Sequence, residues 1–241
     1  MSIPTQDLRD ALDAKEFVVH RDAEMLAAAV TQRIVVLAAQ AIAARGAFRI
    51  ALAGGNTPRR CYELLRDMAV DWQRVHVYYG DERCLPRGDP GRNDSMAQQA
   101  WLDHVAVPAD NVHAIPAELG AEAAAAEYAK LLEPALPLDI VLLGMGEDGH
   151  TASLFPGNPA TEQEDAVVAV FDAPKPPPQR VSLGMPTLNA AREKIFLVAG
   201  EGKREALGKI ARGIALPAAR IARAEWHVDG AALPGEIVSG N

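Results

Sequence analysis

The chain has 241 residues, 49% hydrophobic and 23% charged, proportions of a globular protein rather than a disordered one. That length suits one large α/β domain with a full core, although it also permits two small ones. A formal net charge of −8, with no Lys/Arg-rich stretch, argues against nucleic acid and anionic membrane surfaces as partners.

The amino terminus, Met1-Ser-Ile-Pro-Thr-Gln-Asp, has no basic region followed by an apolar run, so no secretory signal is expected. Glu16 to His20 reads as a strand. Asp22 then caps a helix through Ala44, with Leu26, Val30, Leu37 and Ala41 on one side and Gly46 as its stop. Phe48 to Ala53 is a second strand, followed by the turn Gly54-Gly55-Asn56-Thr57-Pro58 and a helix through Arg66. Val75 to Tyr79 is a third, running into Gly80-Asp81-Glu82-Arg83. A Gly/Pro-rich loop covers Leu85 to Arg92, and Asn93 or Asp94 can cap a helix ending near Val105. Asn111 to Ile115 is read as a short strand and 119–132 as helix. Leu138 to Leu143 is nearly all apolar, as expected of a strand buried on both faces. Val167 to Phe171, Lys194 to Ala199 and Glu225 to Val228 supply further strands, with a helix from Glu201 to Arg212.

Strand and helix alternate throughout, which predicts a single α/β domain with a mostly parallel, doubly wound sheet and helices on both faces. No repeat is present, and Pro174-Lys-Pro-Pro-Pro178 reads as a stiff surface loop. The longest apolar stretches are about eight residues, against the ~20 needed to cross a bilayer. Cys61 and Cys84 form no CxxC pair and no zinc spacing, as in reduced cytosolic thiols. A cytoplasmic protein is expected.

Four segments carry chemistry. Gly54 and Gly55 allow backbone conformations closed to other residues, Thr57 is a good helix cap, and Pro58 suits the first helical position. Free N–H groups at the positive end of that helix would seat a phosphate; a tight turn without a ligand is the equal alternative. Asp81, Glu82 and Arg83 follow a strand, where open α/β sheets bind ligands, although a solvated charge cluster explains them as well.

Gly144-Met145-Gly146-Glu147-Asp148-Gly149-His150 formally matches a dinucleotide fingerprint. Pro156, Gly157 and Pro159 rule out the long helix which that site needs, and it stands too late in the chain. Three glycines here instead let the backbone close on a small ligand and expose the His150 imidazole. His20, His76, His104, His113 and His227 are read as structural, the last two in edge-like strands. Arg180 and Lys203 are late cations able to serve an anion, Arg with phosphate geometry in particular.

Together these residues resemble the 6-phosphogluconolactonase family, on the fold shared with glucosamine-6-phosphate deaminases. The resemblance runs in order through Leu-Ala-Gly-Gly-Asn-Thr-Pro (52–58), Gly-Asp-Glu-Arg (80–83), Gly-Met-Gly-Glu-Asp-Gly-His-Thr-Ala-Ser-Leu-Phe-Pro (144–156), Arg-Val-Ser-Leu (180–183) and Pro-Thr-Leu-Asn-Ala-Ala (186–191). It implies a cytosolic hydrolase of the oxidative pentose phosphate pathway, acting on a phosphosugar lactone without metal or cofactor. It further implies His150 as base, Arg83 at the reacting carbonyl, and Gly54, Gly55, Asn56 and Thr57 as the phosphate loop, helped by Arg180 and Lys203. Asp148 is placed to orient His150, and Asp81 to hold Arg83 or line the site. Asn56 departs from a frequent Ser, and Asp94 from a common aromatic.

Deaminases of this fold carry a Glu five positions after the loop His. Here that position is Phe155, which argues against that activity. A sugar-phosphate sensor is the other rival; such regulators carry a helix-turn-helix before the sensing domain, and a first strand near residue 16 leaves no room for one. Oligomeric state is left open, with a monomer favoured.

Overall fold

The computed structural model describes residues 17–234. Strand β1 (Phe17–His20) leads to helix α1 (Ala23–Arg45). Asp22 caps α1 by accepting from Met25 N, and Gly46 ends it in the left-handed conformation, as the sequence predicts. The amino-terminal strand is thus found from Phe17 on; Glu16 lies outside the described residues. Next come β2 (Phe48–Leu52), α2 (Asn56–Leu65), β3 (Val75–Tyr79), β4 (Asp81–Arg83) and α3 (Asn93–Ala100). The second half contributes α4 (Ala121–Leu132), β5 (Ile140–Gly144), β6 (Val167–Val170), β7 (Arg180–Leu183), α5 (Met185–Ala190), β8 (Glu193–Val198), α6 (Arg204–Ala211) and β9 (Glu225–Asp229).

Six strands form an all-parallel sheet in the order β1-β9-β8-β5-β2-β3. β5 lies inside it, with Ile140 opposite Ile50 of β2 and Leu143 opposite Phe196 of β8. Ile140, Val141, Leu142 and Leu143 are all at most 1% exposed, so both faces of β5 are covered. That explains its unbroken apolar sequence. Helix α1 packs across β1, β2, β8 and β9 through Leu26, Val30, Ile34 and Leu37. At 23 residues and a mean hydropathy of 1.6, α1 exceeds the short apolar runs expected from the sequence. Its small Ala side chains raise the hydropathy while Leu26, Val30, Ile34 and Leu37 are buried.

A second sheet, β4-β7-β6, is antiparallel and departs from the expected alternation. Asp-Glu-Arg is poor strand sequence taken alone. Pairing with β7 makes it one, setting Asp81 opposite Ser182 and Arg83 opposite Arg180. Helix α4 covers β6 and β7.

Other differences are local. The predicted strand Asn111–Ile115 reduces to a single bridge between Val112 and Val77 after a 3₁₀ turn at Ala109–Asn111. α3 stops at Ala100, with a 3₁₀ turn at Leu102–His104 completing the predicted helix. Glu201–Lys203 is likewise 3₁₀ before α6. His227 is 4% exposed on β9, which runs between β1 and β8, so it is not on an edge; His113 lies in no strand.

Candidate active site

The carboxyl ends of β8, β5, β2 and β3, four neighbours in the sheet, open on a cavity of about 520 Å³. From β2 the chain moves on to β3, whereas from β5 it moves to β8 on the opposite side. The cavity therefore sits at the topological switch point, where open α/β sheets hold ligands.

The turn after β2 forms one wall. α2 starts earlier than the sequence suggests: Gly55, at φ 107°, is its N-cap, so Thr57 and Pro58 lie inside the first turn. Only glycine adopts that φ without strain. No side chain caps this helix, and Gly54, Gly55, Asn56 and Thr57 all line the cavity. The first-turn N–H groups of α2 thus begin at the cavity wall, an anion seat of the expected kind.

The loop after β5 is folded on itself: Gly149 N donates to Gly146 O (3.0 Å) and Gly146 N to His150 O (2.9 Å). Gly146 has to be glycine for reasons of space, because a Cβ there would stand 2.1 Å from His150 Nδ1. His150 Nδ1 lies 2.6 Å from Asp148 Oδ1, which also accepts from His150 N at 3.1 Å. Partial burial raises the Asp148 carboxyl, but these donors outweigh it and bring it down to about 2. An ionised carboxylate only accepts, so Nδ1 carries the hydrogen and Nε2 keeps the lone pair. The ring leans on Phe155 with centroids 4.5 Å apart. Beyond His150, Ala152 lines the cavity at φ 47°, a strained conformation held by the Thr151–Leu154 bridge.

The antiparallel sheet supplies the opposite wall. Asp81, 7% exposed, accepts from Ser153 Oγ (2.6 Å) and from Asn93 Nδ2 (3.1 Å). Its oxygens are engaged there, so it does not hold Arg83. Arg83 donates from Nη1 to Gly91 O, while its Nε is buried and bonds to no protein atom. Glu82 is buried by contrast, accepting from the N–H groups of Arg83, Asn93 and Asp94 at 2.8, 2.8 and 2.9 Å. Burial pushes its carboxyl up to about 7 against those three donors. It caps α3 and thereby fixes Asn93, the residue against which Gly54 packs.

Arg180 is 7% exposed, lies over the Phe155 ring at 5.7 Å, and is held below its ordinary value mainly by burial. Lys203 reaches the cavity from the turn after β8; burial lowers it, as does the ammonium of Lys175, while Glu147 raises it. Among the described residues, Arg83, Lys175, Arg180 and Lys203 all line this cavity and none has a carboxylate within 4 Å. Four unpaired cations converge in a protein of net charge −8. An anionic ligand is what such a site can hold.

All ten residues singled out from the sequence are brought together here: His150, Arg83, Asp148, Gly54, Gly55, Asn56, Thr57, Asp81 and Arg180 line or adjoin one space with Lys203. Reasoning from sequence missed Asn93, Ser153 and Lys175. Asn93 was visible only as a helix cap, and Lys175 stood inside a stretch read as a plain surface loop. A second cavity of about 520 Å³ lies beyond Phe155 and also touches Asp148. It is lined by neither His150 nor any Arg or Lys, so it sets no cation against an anion.

The sequence matches the family described as Glucosamine-6-phosphate isomerases/6-phosphogluconolactonase over residues 21–228. The chain belongs to this family. Among its relatives, the 6-phosphogluconolactonase of Streptomyces coelicolor is 42% identical, the match covering 91% of this chain and 94% of that one. That of Synechocystis is 40% identical over 83% of each. Of solved structures, 6-phosphogluconolactonase from Thermotoga maritima superposes with a TM-score of 0.83 at 26% identity, covering 89% of this chain and 99% of its own. A monomeric glucosamine-6-phosphate deaminase at 21% identity has a TM-score of 0.77 over 90% of this chain and 98% of its own, a likeness of fold alone.

Proposed function

We propose that this chain hydrolyses 6-phospho-D-glucono-1,5-lactone to 6-phospho-D-gluconate, the lactone-opening step of the oxidative pentose phosphate pathway, as a cytoplasmic enzyme. The observation that carries the reading is one cavity holding both a carboxylate-oriented imidazole and four unpaired cations. The relatives named 6-phosphogluconolactonase point the same way.

The chemistry follows from the geometry. A δ-lactone is an activated ester, so water needs only a base and a home for the developing charge. His150 Nε2 takes a proton from water as it attacks C1, while the hydrogen on Nδ1 stays with Asp148 Oδ1. The carbonyl oxygen becomes an oxyanion, and the guanidinium of Arg83, which lines the cavity, offsets its charge. The imidazolium then returns its proton to the leaving ring oxygen. The Gly54–Thr57 turn and Lys203 hold the phosphate, with the charge of Arg180 on the same cavity wall. Phe155 stands five positions after His150, where deaminases of this fold carry a Glu, and packs against the imidazole without offering a carboxylate.

The test is hydrolysis of freshly generated 6-phosphogluconolactone near neutral pH with chelator present, wild type against His150→Ala. Turnover well above the spontaneous rate, lost in the variant, is expected. Wild-type protein no faster than the spontaneous reaction would sink the reading.

A further inference from the structure

The loop joining β6 to β7 contains Pro174-Lys175-Pro176-Pro177-Pro178. Proline has no backbone N–H, so apart from Lys175 the segment has no main-chain donor and offers mainly carbonyls. Ala173 N donates to Pro178 O at 3.0 Å and closes the base of the loop. The rest is held from outside by one side chain. Arg180 Nη2 donates to Lys175 O (2.9 Å) and Pro176 O (3.4 Å), and Arg180 Nε donates to Pro177 O (3.3 Å). Three successive carbonyls are thus gathered by one guanidinium, itself buried against Phe155.

The clamp places Lys175 and Pro176 on the wall of the active-site cavity. Lys175 has no carboxylate partner among the described residues, and its charge is felt at Lys203, which enters the same cavity from the turn after β8. Lys175 is exposed at the cavity's edge, and two ammonium groups at one cavity repel each other until an anion lies between them. Arg180 engages two of its three nitrogens in the loop, which leaves it poorly placed to fork a phosphate.

We propose that Lys175, opposite Lys203, grips the substrate's phosphate directly, and that Arg180 is a positioning residue that acts through Lys175 by clamping the proline loop. This rests on the lactonase reading and refines which cations serve the phosphate. It is an anchoring interaction, present equally in ground and transition states, so its loss raises KM and spares kcat.

The experiment is steady-state hydrolysis of 6-phosphogluconolactone by wild type, Lys175→Ala, Lys175→Arg, Arg180→Ala, Arg180→Lys and the double variant Lys175→Ala/Arg180→Ala. Lys175→Ala should raise KM about tenfold or more, the order of a lost charge-assisted hydrogen bond, with kcat within about twofold. Lys175→Arg should restore most of that loss. Arg180→Ala should raise KM similarly, and adding Lys175→Ala to it should change KM by less than about twofold, since coupled residues do not add. Arg180→Lys, a point charge without the fork, should behave like Arg180→Ala and serves if the latter fails to fold. A KM within about twofold of wild type in Lys175→Ala overturns the role of Lys175. Penalties that multiply in the double variant overturn the clamp and return Arg180 to the phosphate. Absence of wild-type turnover would instead sink the lactonase reading itself.

Discussion

Two histidines of this chain have the same local chemistry and opposite fates. His150 and His227 each hydrogen-bond a carboxylate two residues earlier, Asp148 at 2.6 Å and Glu225 at 2.8 Å. The difference lies in the second ring nitrogen. His227 sits on an interior strand, donates through Nε2 to Glu225, and has His20 Nε2 stacked against it 2.8 Å from Nδ1. Both of its nitrogens are taken. His150 hangs from a glycine-rich loop with Nδ1 committed and Nε2 left to the cavity. A carboxylate–imidazole pair makes a base only where the remaining lone pair has somewhere to act.

The largest expected effect separates the two directly. His150→Ala should lower kcat by roughly 10²–10⁴-fold, the usual contribution of a positioned general base. His227→Ala should leave kcat within about twofold while lowering the denaturation midpoint, as for loss of a buried hydrogen-bonded side chain. Equal activity losses in the two would dissolve the distinction. Gly146→Ala probes the same contrast through space rather than charge. Its methyl would stand 2.1 Å from His150 Nδ1 and 2.6 Å from Asp148 Oδ1. The ring must move, and a misplacement of about 1 Å can cost ~10²-fold in rate. A variant of unchanged kcat would mean that the ring position does not matter.

Asp148→Asn should be milder. The amide oxygen can still accept from Nδ1, so the tautomer survives, but the bond is no longer charge-assisted. Bonds to charged groups are worth about 1.5–3 kcal/mol against about 0.5–1.5 for neutral ones, a difference of order tenfold in kcat. Because the Asp148 carboxyl is held down at about 2, its contribution is present throughout the neutral range and is lost only as pH falls through that value.

The contrast also marks what a sequence discloses. The carboxylate two residues before each histidine is plain to read, and so are the glycines that free one of them. The partner that disables His227 comes from 207 residues away, across β1 and β9, and no local pattern announces it. The same holds for the two sheets. The parallel strands and the turns at their carboxyl ends are contiguous motifs, which is why Gly54–Thr57 and Gly144–His150 were legible. The antiparallel sheet assembles residues 81–83, 167–170 and 180–183 by pairing alone. Asp81, Glu82 and Arg83 therefore looked like a loop, and the proline segment looked like surface until Arg180 was seen to hold it.

The smallest effect tests whether the disabled pair titrates as a structural group. Burial, and then the neighbouring His227, hold His20 below its ordinary 6.5; burial does the same to His76, and burial followed by His76 to His113. Below 6.5 the unfolded chain takes up these protons more readily than the folded one, so stability falls as pH falls through that window. Glu82 works the other way: raised to about 7, it favours the folded state at low pH and loses that contribution as pH rises through 7. The sum is small, and the informative quantity is a difference in which Glu82 cancels. His20→Gln keeps a donor for His227 Nδ1 but cannot be protonated. Urea midpoints at about pH 7.5 and 5.5 should drop further in the wild type than in His20→Gln. An identical drop would mean that His20 is indifferent to its own charge and that the half-buried pair is held by packing alone.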